Sequence, residues 1–356
     1  MIIERQLYAR DAQLGDIQQY WLSNDRGVRV GVLNYGLTLT DFIVPDCEGN
    51  SVNVVLGFPN FATLRHQTAF VNATIGRYAN RIAHARLPVL DEDFNLAKNE
   101  DQHHLHGGPG GFDKCIWAIE RIYSDKEGAT LTARLLSADG DEHYPGTLDC
   151  GVTLRLDNDN RLTFTVLATS DRATHVNITS HLYFNLSGRD DNSIKDHRFL
   201  IPSNQVVEID RSGIPTGSIV PINDTALDFS RARSLEEALA PSDPLLALRG
   251  GIDHCYVFKC HNSAENLRMA SAFCEATGLQ LQLVSTQPGM QFYTGQYLQS
   301  LAGRGGKDYG PFAGFCLEPQ HFPDTPNQPA FPSTLLMPGD TYKQCFSYRV
   351  EALKGV

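Results

Sequence analysis

Gly151-Val152-Thr153-Leu154-Arg155-Leu156-Asp157-Asn158-Asp159-Asn160-Arg161-Leu162-Thr163-Phe164-Thr165-Val166-Leu167-Ala168 is the stretch that decides the fold. Two runs rich in β-branched and apolar residues flank four consecutive Asp and Asn residues. Asp and Asn side chains bond their own backbone two residues on and tolerate left-handed φ, so 157–160 predicts a turn and its flanks predict a hairpin.

The same grammar extends outward in both directions. Upstream, Val28 to Leu33, Leu37 to Val44 and Val52 to Leu56 read as an opening set of strands, with a turn at Asp46-Cys47-Glu48-Gly49-Asn50. Trp117 to Tyr123 and Ala129 to Leu136 follow. Downstream, Leu279-Gln280-Leu281-Gln282-Leu283 alternates with period two, and Tyr342 to Ala352 closes the chain as a strand. Helical periodicity is nearly absent. Ser234 followed by Glu237 predicts a capping box opening a short helix, Leu235 to Ala240, with Pro241 and Pro244 stopping it. No linker, charge block or repeat divides the chain. The expectation is an all-β protein: one domain over 1–356, a single large antiparallel β-sandwich with a few short helices.

Composition narrows the partners. The 356 residues are 42% hydrophobic and 20% charged, normal for a chain that buries a core. A formal net charge of −11 argues against nucleic acid or an anionic membrane as a partner. The eight cysteines, at 47, 115, 150, 255, 260, 274, 316 and 345, form no CxxC pair and no regular framework. With no signal-peptide pattern and no apolar run of membrane length, a cytoplasmic location is expected.

Six places carry polar groups that a plain strand or loop does not need. In Gly314-Phe315-Cys316-Leu317-Glu318-Pro319-Gln320-His321, alternation sets Phe315 and Leu317 on one face and Cys316 and Glu318 on the other. Pro319 predicts that the strand ends at Glu318, leaving a carboxylate able to act as a general base, with Cys316 as small core filler. In Ser180-His181-Leu182-Tyr183-Phe184-Asn185-Leu186, the same alternation opposes a His/Tyr/Asn face to an apolar one. His181 titrates near neutrality and suits a general acid.

Arg81, in Gly76-Arg77-Tyr78-Ala79-Asn80-Arg81, is either a surface cation or a forked donor to hydroxyls. His103, His104 and His106 lack the spacing partners of a zinc site, and the glycines after His106 predict a tight loop that a ligand can approach closely. Asp253, after Gly250-Gly251, either closes a turn or accepts from hydroxyls; Gln291 shares a strand face with Tyr293. There is no GxSxG elbow, P-loop or GxGxxG. What remains is a set for proton transfer on a small polyhydroxylated ligand.

Together, and in their order, these segments resemble the aldose 1-epimerase (galactose mutarotase) family. The resemblance rests on Gly76 through Arg81, Leu105-His106-Gly107-Gly108, Ser180 through Leu186, Asp253-His254, Gln291 through Gly295, Leu317-Glu318-Pro319-Gln320 and Pro323 through Pro329. Ser180 stands where asparagine is commoner, and the stretch before His106 departs from the family's Asn-x-Gly-x-Asn. The resemblance implies interconversion of the α and β anomers of free hexoses such as glucose and galactose, with no cofactor and no metal. Glu318 would take the proton from the C1 hydroxyl, and His181 would protonate the ring oxygen. Asn80, Arg81, His106, Asp253 and Gln291 would bind the sugar, with Tyr183, Phe292 or Tyr293 as an aromatic platform. The chain would act as a monomer or a homodimer. Three alternatives stand beside it: a non-catalytic sugar-binding module of the same fold, an epimerase of phosphorylated hexoses, and a hydrolase with a metal on the three histidines.

Overall fold

The 151–168 hairpin lies within a nine-stranded antiparallel sheet in the computed structural model, which describes residues 2–188, 193–240, 243–259 and 266–353. Its arms are longer than expected, Leu148–Asp157 and Arg161–Ser170, paired in continuous register from Leu148↔Ser170 to Leu156↔Leu162. The Asp157 carboxylate accepts from the N–H groups of Asp159 and Arg161, and Asn160 takes φ 60°, as the turn chemistry requires. Every second side chain of Leu148–Asp157 is buried.

A five-stranded sheet (Ile2–Asp11, Gly15–Ser23, Arg29–Leu33, Leu39–Pro45, Ser51–Asn53) and a six-stranded sheet complete the main layers. The six-stranded sheet runs Tyr183–Phe184, Phe315–Gln320, Gly289–Tyr293, Asp253–Val257, Gln205–Ile209, Pro215–Pro221 in spatial order. All three sheets feed one apolar core: Leu154 and Phe164 from the first, Val30 and Phe42 from the second, Phe292, Phe315 and Leu317 from the third. Among the described strand pairs all are antiparallel. Full burial of side chains of this size stabilises by roughly 1.5–3 kcal/mol each.

Several local expectations need correction. Ile2–Asp11 and Gly15–Ser23 form strands that no alternation announces, because the first is largely exposed and is held by its ladder with the second. Leu37 takes φ 43° and stays outside the strand, which begins at Leu39. The segment Val52 to Leu56 leaves its ladder after Asn53: Val55 bridges to Phe184 and the Leu56 N–H donates to Tyr183 O, tying the second sheet to the third. The capping box at Ser234 and Glu237 is present and opens helix Leu235–Leu239. Pro244 does not stop that helix but starts the next, Pro244–Ala247, where a first-turn proline forgoes no hydrogen bond. Pro241 and Cys260 lie outside the described residues. A further helix, Phe61–His66, is capped by Asn60, whose side chain accepts from the Thr63 N–H.

Proline also misplaced the end of the key strand. Phe315–Gln320 runs through Pro319, which pairs with Met290, so Glu318 sits inside the strand. The Leu317 and Pro319 carbonyls accept from Tyr348 Oη and Gln344 Nε2 rather than from the neighbouring strand. Backbone groups of one residue leave a strand on the same side, so the missing Pro319 N–H falls where no ladder bond is lost. No helix among the described residues is long and apolar enough to cross a membrane.

Candidate active site

The site grows from two rungs of the six-stranded sheet. Register places Tyr183, Cys316, Tyr293 and Asp253 on one rung and Glu318 beside Gln291 on the next. Continuing the Tyr183↔Cys316 register two residues back sets His181 beside Glu318, although the pairing itself covers only Tyr183–Phe184. The intervening residues, Leu182, Phe292 and Leu317, turn to the core. Phe292 therefore cannot serve as a platform; Tyr183 and Tyr293 remain.

Above this floor lies a cavity of about 220 Å³. All seven residues singled out in the sequence (Asn80, Arg81, His106, His181, Asp253, Gln291 and Glu318) line it. The wall opposite the sheet comes from an irregular segment. The short pair Arg81–Ile82 and His104–Leu105 sets Arg81 against Leu105, and the N–H of Asn80 donates to His106 Nδ1 at 3.2 Å. That leaves the other ring nitrogen of His106 for the cavity. The glycine after it has a different role from the one expected. Gly107 has φ 88°, and a Cβ there would come within 1.9 Å of Gly76 O, so it lets two backbone segments close on each other and not on a ligand.

The three histidines in sequence do not converge. His103 Nδ1 accepts the His84 N–H, and His104 bridges Ala97 O and the Tyr144 hydroxyl. His106 instead joins His181 and Glu318, each offering one ligand atom within 4.8 Å of the others, and these three could hold a metal ion.

The electrostatics divide sharply. Glu318 is 1% exposed; its Oε1 stands 3.7 Å from His181 Nε2, and its Oε2 has no hydrogen-bond partner among the described residues. Burial, with Asp253 nearby, holds its carboxyl well above the usual range against the opposing pull of Arg81. Burial pushes His181 down to about 4 and His106 well below its usual value, the latter helped by His181 and Arg81. Asp253 goes the other way. Burial alone would raise it, but Arg81 and Arg249 beside it and the Gln291 amide hold it low and ionised. Gln291 Nε2 donates to Asp253 Oδ1 at 2.7 Å, and Arg249 Nη2 reaches Oδ2 at 3.1 Å.

Arg81 is not a surface cation. Its Nε and Nη2 form a bidentate pair with Glu100 at 2.6 and 2.7 Å, which leaves Nη1 toward Asp253 at 3.9 Å. Arg77, in the same motif, turns away and is spent on the backbone carbonyls of Ser137, Ala138, Pro145 and Gly146. His254 is buried with its Nδ1 accepting the Asp253 N–H and does not line the cavity.

Sequence reasoning missed Phe70, Glu100, Arg249 and Tyr297. Phe70 packs on His106 with ring centroids 4.7 Å apart, and Tyr297 stacks on Tyr293 at the mouth. Arg249 carried a weak signal, four residues before Asp253; the others sit on loops where no periodicity points at them.

A model of the family described as aldose 1-epimerase matches residues 18–349. The chain is 37% identical to human galactose mutarotase over 92% of each chain. It is 33% identical to the aldose 1-epimerase of Escherichia coli K12 over 92% of this chain and 93% of that one. Among solved structures, galactose 1-epimerase from Lactobacillus acidophilus superposes with a TM-score of 0.85 at 26% identity, covering 99% of each chain.

Proposed function

This chain belongs to the aldose 1-epimerase family, and from that premise we propose that it interconverts the α and β anomers of free hexoses through Glu318 and His181. The observation that carries the assignment of roles is their juxtaposition, Oε1 to Nε2 at 3.7 Å, inside a cavity also lined by Asn80, Arg81, His106, Asp253 and Gln291. The anomeric hydroxyl and the ring oxygen are bonded to the same carbon, so a base and an acid side by side reach both at once.

The proton count follows. Ring opening needs an ionised Glu318 and a protonated His181. Glu318 takes the C1 hydroxyl proton, C1–O becomes a carbonyl, the C1–O5 bond breaks with its electrons on O5, and His181 Nε2 protonates O5. Rotation about C1–C2 and the reverse transfers close the ring on the other face. The pair carries one proton throughout. In the free site that proton rests on Glu318, since burial raises Glu318 and lowers His181. That arrangement is the one the pair holds once the ring has opened. Each positioned transfer is worth about 10² to 10⁴ in rate. Asp253, ionised and braced by Arg81, Arg249 and Gln291, is suited to accept from sugar hydroxyls, and Asn80, His106 and Gln291 to donate or polarise.

Phosphorylated hexoses fit less well. Both guanidiniums of the cavity region are committed, Arg81 to Glu100 and Asp253, and Arg249 to Asp253. A phosphate would meet carboxylates whose partners are already taken.

Polarimetry or anomeric-proton NMR on fresh α-glucose and α-galactose tests the reading. Wild type should equilibrate both faster than buffer, and Glu318→Gln and His181→Asn should each nearly abolish this while sugar still protects against thermal unfolding. If wild type speeds neither sugar, the assignment fails. The proposed reaction uses protein groups alone, so activity should survive exhaustive chelation. Loss on chelation with recovery on adding Zn²⁺ would favour a metal at His106, His181 and Glu318.

A further inference from the structure

Cys316, read from sequence as small core filler, is fully buried with its Sγ 3.4 Å from His181 Nδ1. It sits two residues before Glu318 on the same strand face, so one strand carries the proposed base and also touches the far nitrogen of the proposed acid. The rest of the His181 ring lies among rings: Tyr183 at 5.0 Å, His106 at 5.2 Å, and Phe70 and Tyr293 at 6.3 Å. Its two nitrogens thus have distinct surroundings, with Nε2 facing Glu318 and Nδ1 facing the thiol.

We propose that Cys316 is a positioning residue that accepts a hydrogen bond from Nδ1–H and so keeps the neutral His181 in the Nδ1–H tautomer. The inference rests on His181 being the proton donor at Nε2. An imidazolium that has given its Nε2 proton to the ring oxygen retains the one on Nδ1, so the group facing Nδ1 must be an acceptor at every stage. A sulfur meets that need in a particular way. Burial keeps the thiol protonated, so it neither takes the Nδ1 proton nor places a negative charge behind the ring. A carboxylate there would stabilise the imidazolium and blunt it as an acid; a thioether-like weak acceptor fixes the tautomer while leaving the acid strong. The same tautomer turns the Nε2 lone pair toward Glu318 Oε1, which suits the free-site arrangement in which the shared proton rests on the carboxyl.

The test is ¹⁵N-histidine NMR at pH 7.5 on wild type, Cys316→Ala, Cys316→Val and Cys316→Ser, each paired with mutarotation kinetics. Wild-type His181 should give a pyrrole-type Nδ1 and a pyridine-type Nε2. In the Ala and Val variants the Nε2–H tautomer should appear, and kcat should fall about tenfold with KM within about twofold, a share of what one positioned proton transfer supplies. Serine, whose oxygen also accepts, should restore the tautomer and most of kcat. A wild-type His181 in the Nε2–H form overturns the proposal, as does a folded Ala or Val variant with unchanged tautomer and unchanged kcat. Should neither apolar variant fold, the wild-type tautomer alone decides. If wild type catalyses no mutarotation, the functional reading falls, while the tautomer in wild type and serine variant still judges the contact.

Discussion

Acidification from pH 7.5 to 5.5 should remove about 5 kcal/mol or more of folding stability. Burial lowers six histidines, His104, His106, His175, His181, His254 and His321, five of them to about 4. In the unfolded chain they titrate near 6.5. A histidine depressed in this way contributes stability that is fully present above 6.5 and is lost as pH falls toward its folded value. Each proton taken up on unfolding steepens the loss by about 1.4 kcal/mol per pH unit, so the six together cost about 8 kcal/mol over this interval. Glu318 opposes them. Its raised folded value means its contribution is present at low pH and lost as pH rises, so acidification returns part of the loss, at most about 3 kcal/mol for one proton over two pH units. The net loss is a large part of the roughly 5–15 kcal/mol that holds a typical domain together. Urea titrations at half-unit pH steps, read by tryptophan fluorescence, measure it directly. His175 bonds Thr334 Oγ1 and Pro88 O away from the cavity, so His175→Gln should flatten the pH slope by about one proton with catalysis intact. A change below about 1 kcal/mol between the two pH values, or a gain, would refute the claim that these histidines are buried neutral.

Three further outcomes follow from the same geometry. An unshifted pair, with glutamate near 4.5 and histidine near 6.5, would lose activity steadily above pH 6.5; the shifted pair should hold kcat/KM flat through pH 6.5, with its alkaline fall displaced to higher pH. A tenfold decline per unit starting at 6.5 in initial-rate polarimetry would contradict it. Glu100→Gln removes one charge from the bidentate partner of Arg81, and KM for galactose should rise about three- to tenfold with kcat little changed; an unaltered KM would mean that Arg81 needs no anchoring. Ser234→Ala deletes the side chain that accepts the Glu237 N–H, so urea denaturation should register a loss of about 1 kcal/mol without effect on turnover.

The sandwich was legible because its strands alternate. Leu148–Asp157 and Leu279–Ser285 bury every second residue, and period two survives translation into structure almost unchanged. The Ile2–Asp11 strand was not legible, since an exposed strand held by its ladder has no apolar face to announce it. For the candidate site, Glu318, Gln291 and Asp253 were visible as polar positions on otherwise apolar strands, and His181 as one between two short strands. Phe70 has φ 56° on an irregular loop, and Glu100 lies in the stretch that departs from the family's pattern, so neither carried such a signal. The Pro319 error has a physical cause as well. Sequence says that a proline cannot donate, but only topology says whether anything stands on its N–H side to receive.

That topology also explains why the chemistry is placed in a sheet interior at all. Glu318, Gln291, Tyr293, Cys316 and Asp253 keep their mutual spacing because three strands hold one register, and each alternates with a core residue. A slip of one residue in Phe315–Gln320 would turn Phe315 and Leu317 into the polar cavity and drive Glu318 into the apolar core, where an unpaired carboxylate is costly. The burial of two large side chains therefore specifies where the carboxylate points. The cost of that placement is a Glu318 whose ionised form is disfavoured, and the same cost suits the role proposed for it, because a carboxylate reluctant to ionise is a base that keeps a proton once it has taken one. Core packing and the proposed proton transfer at this site are two consequences of a single strand register.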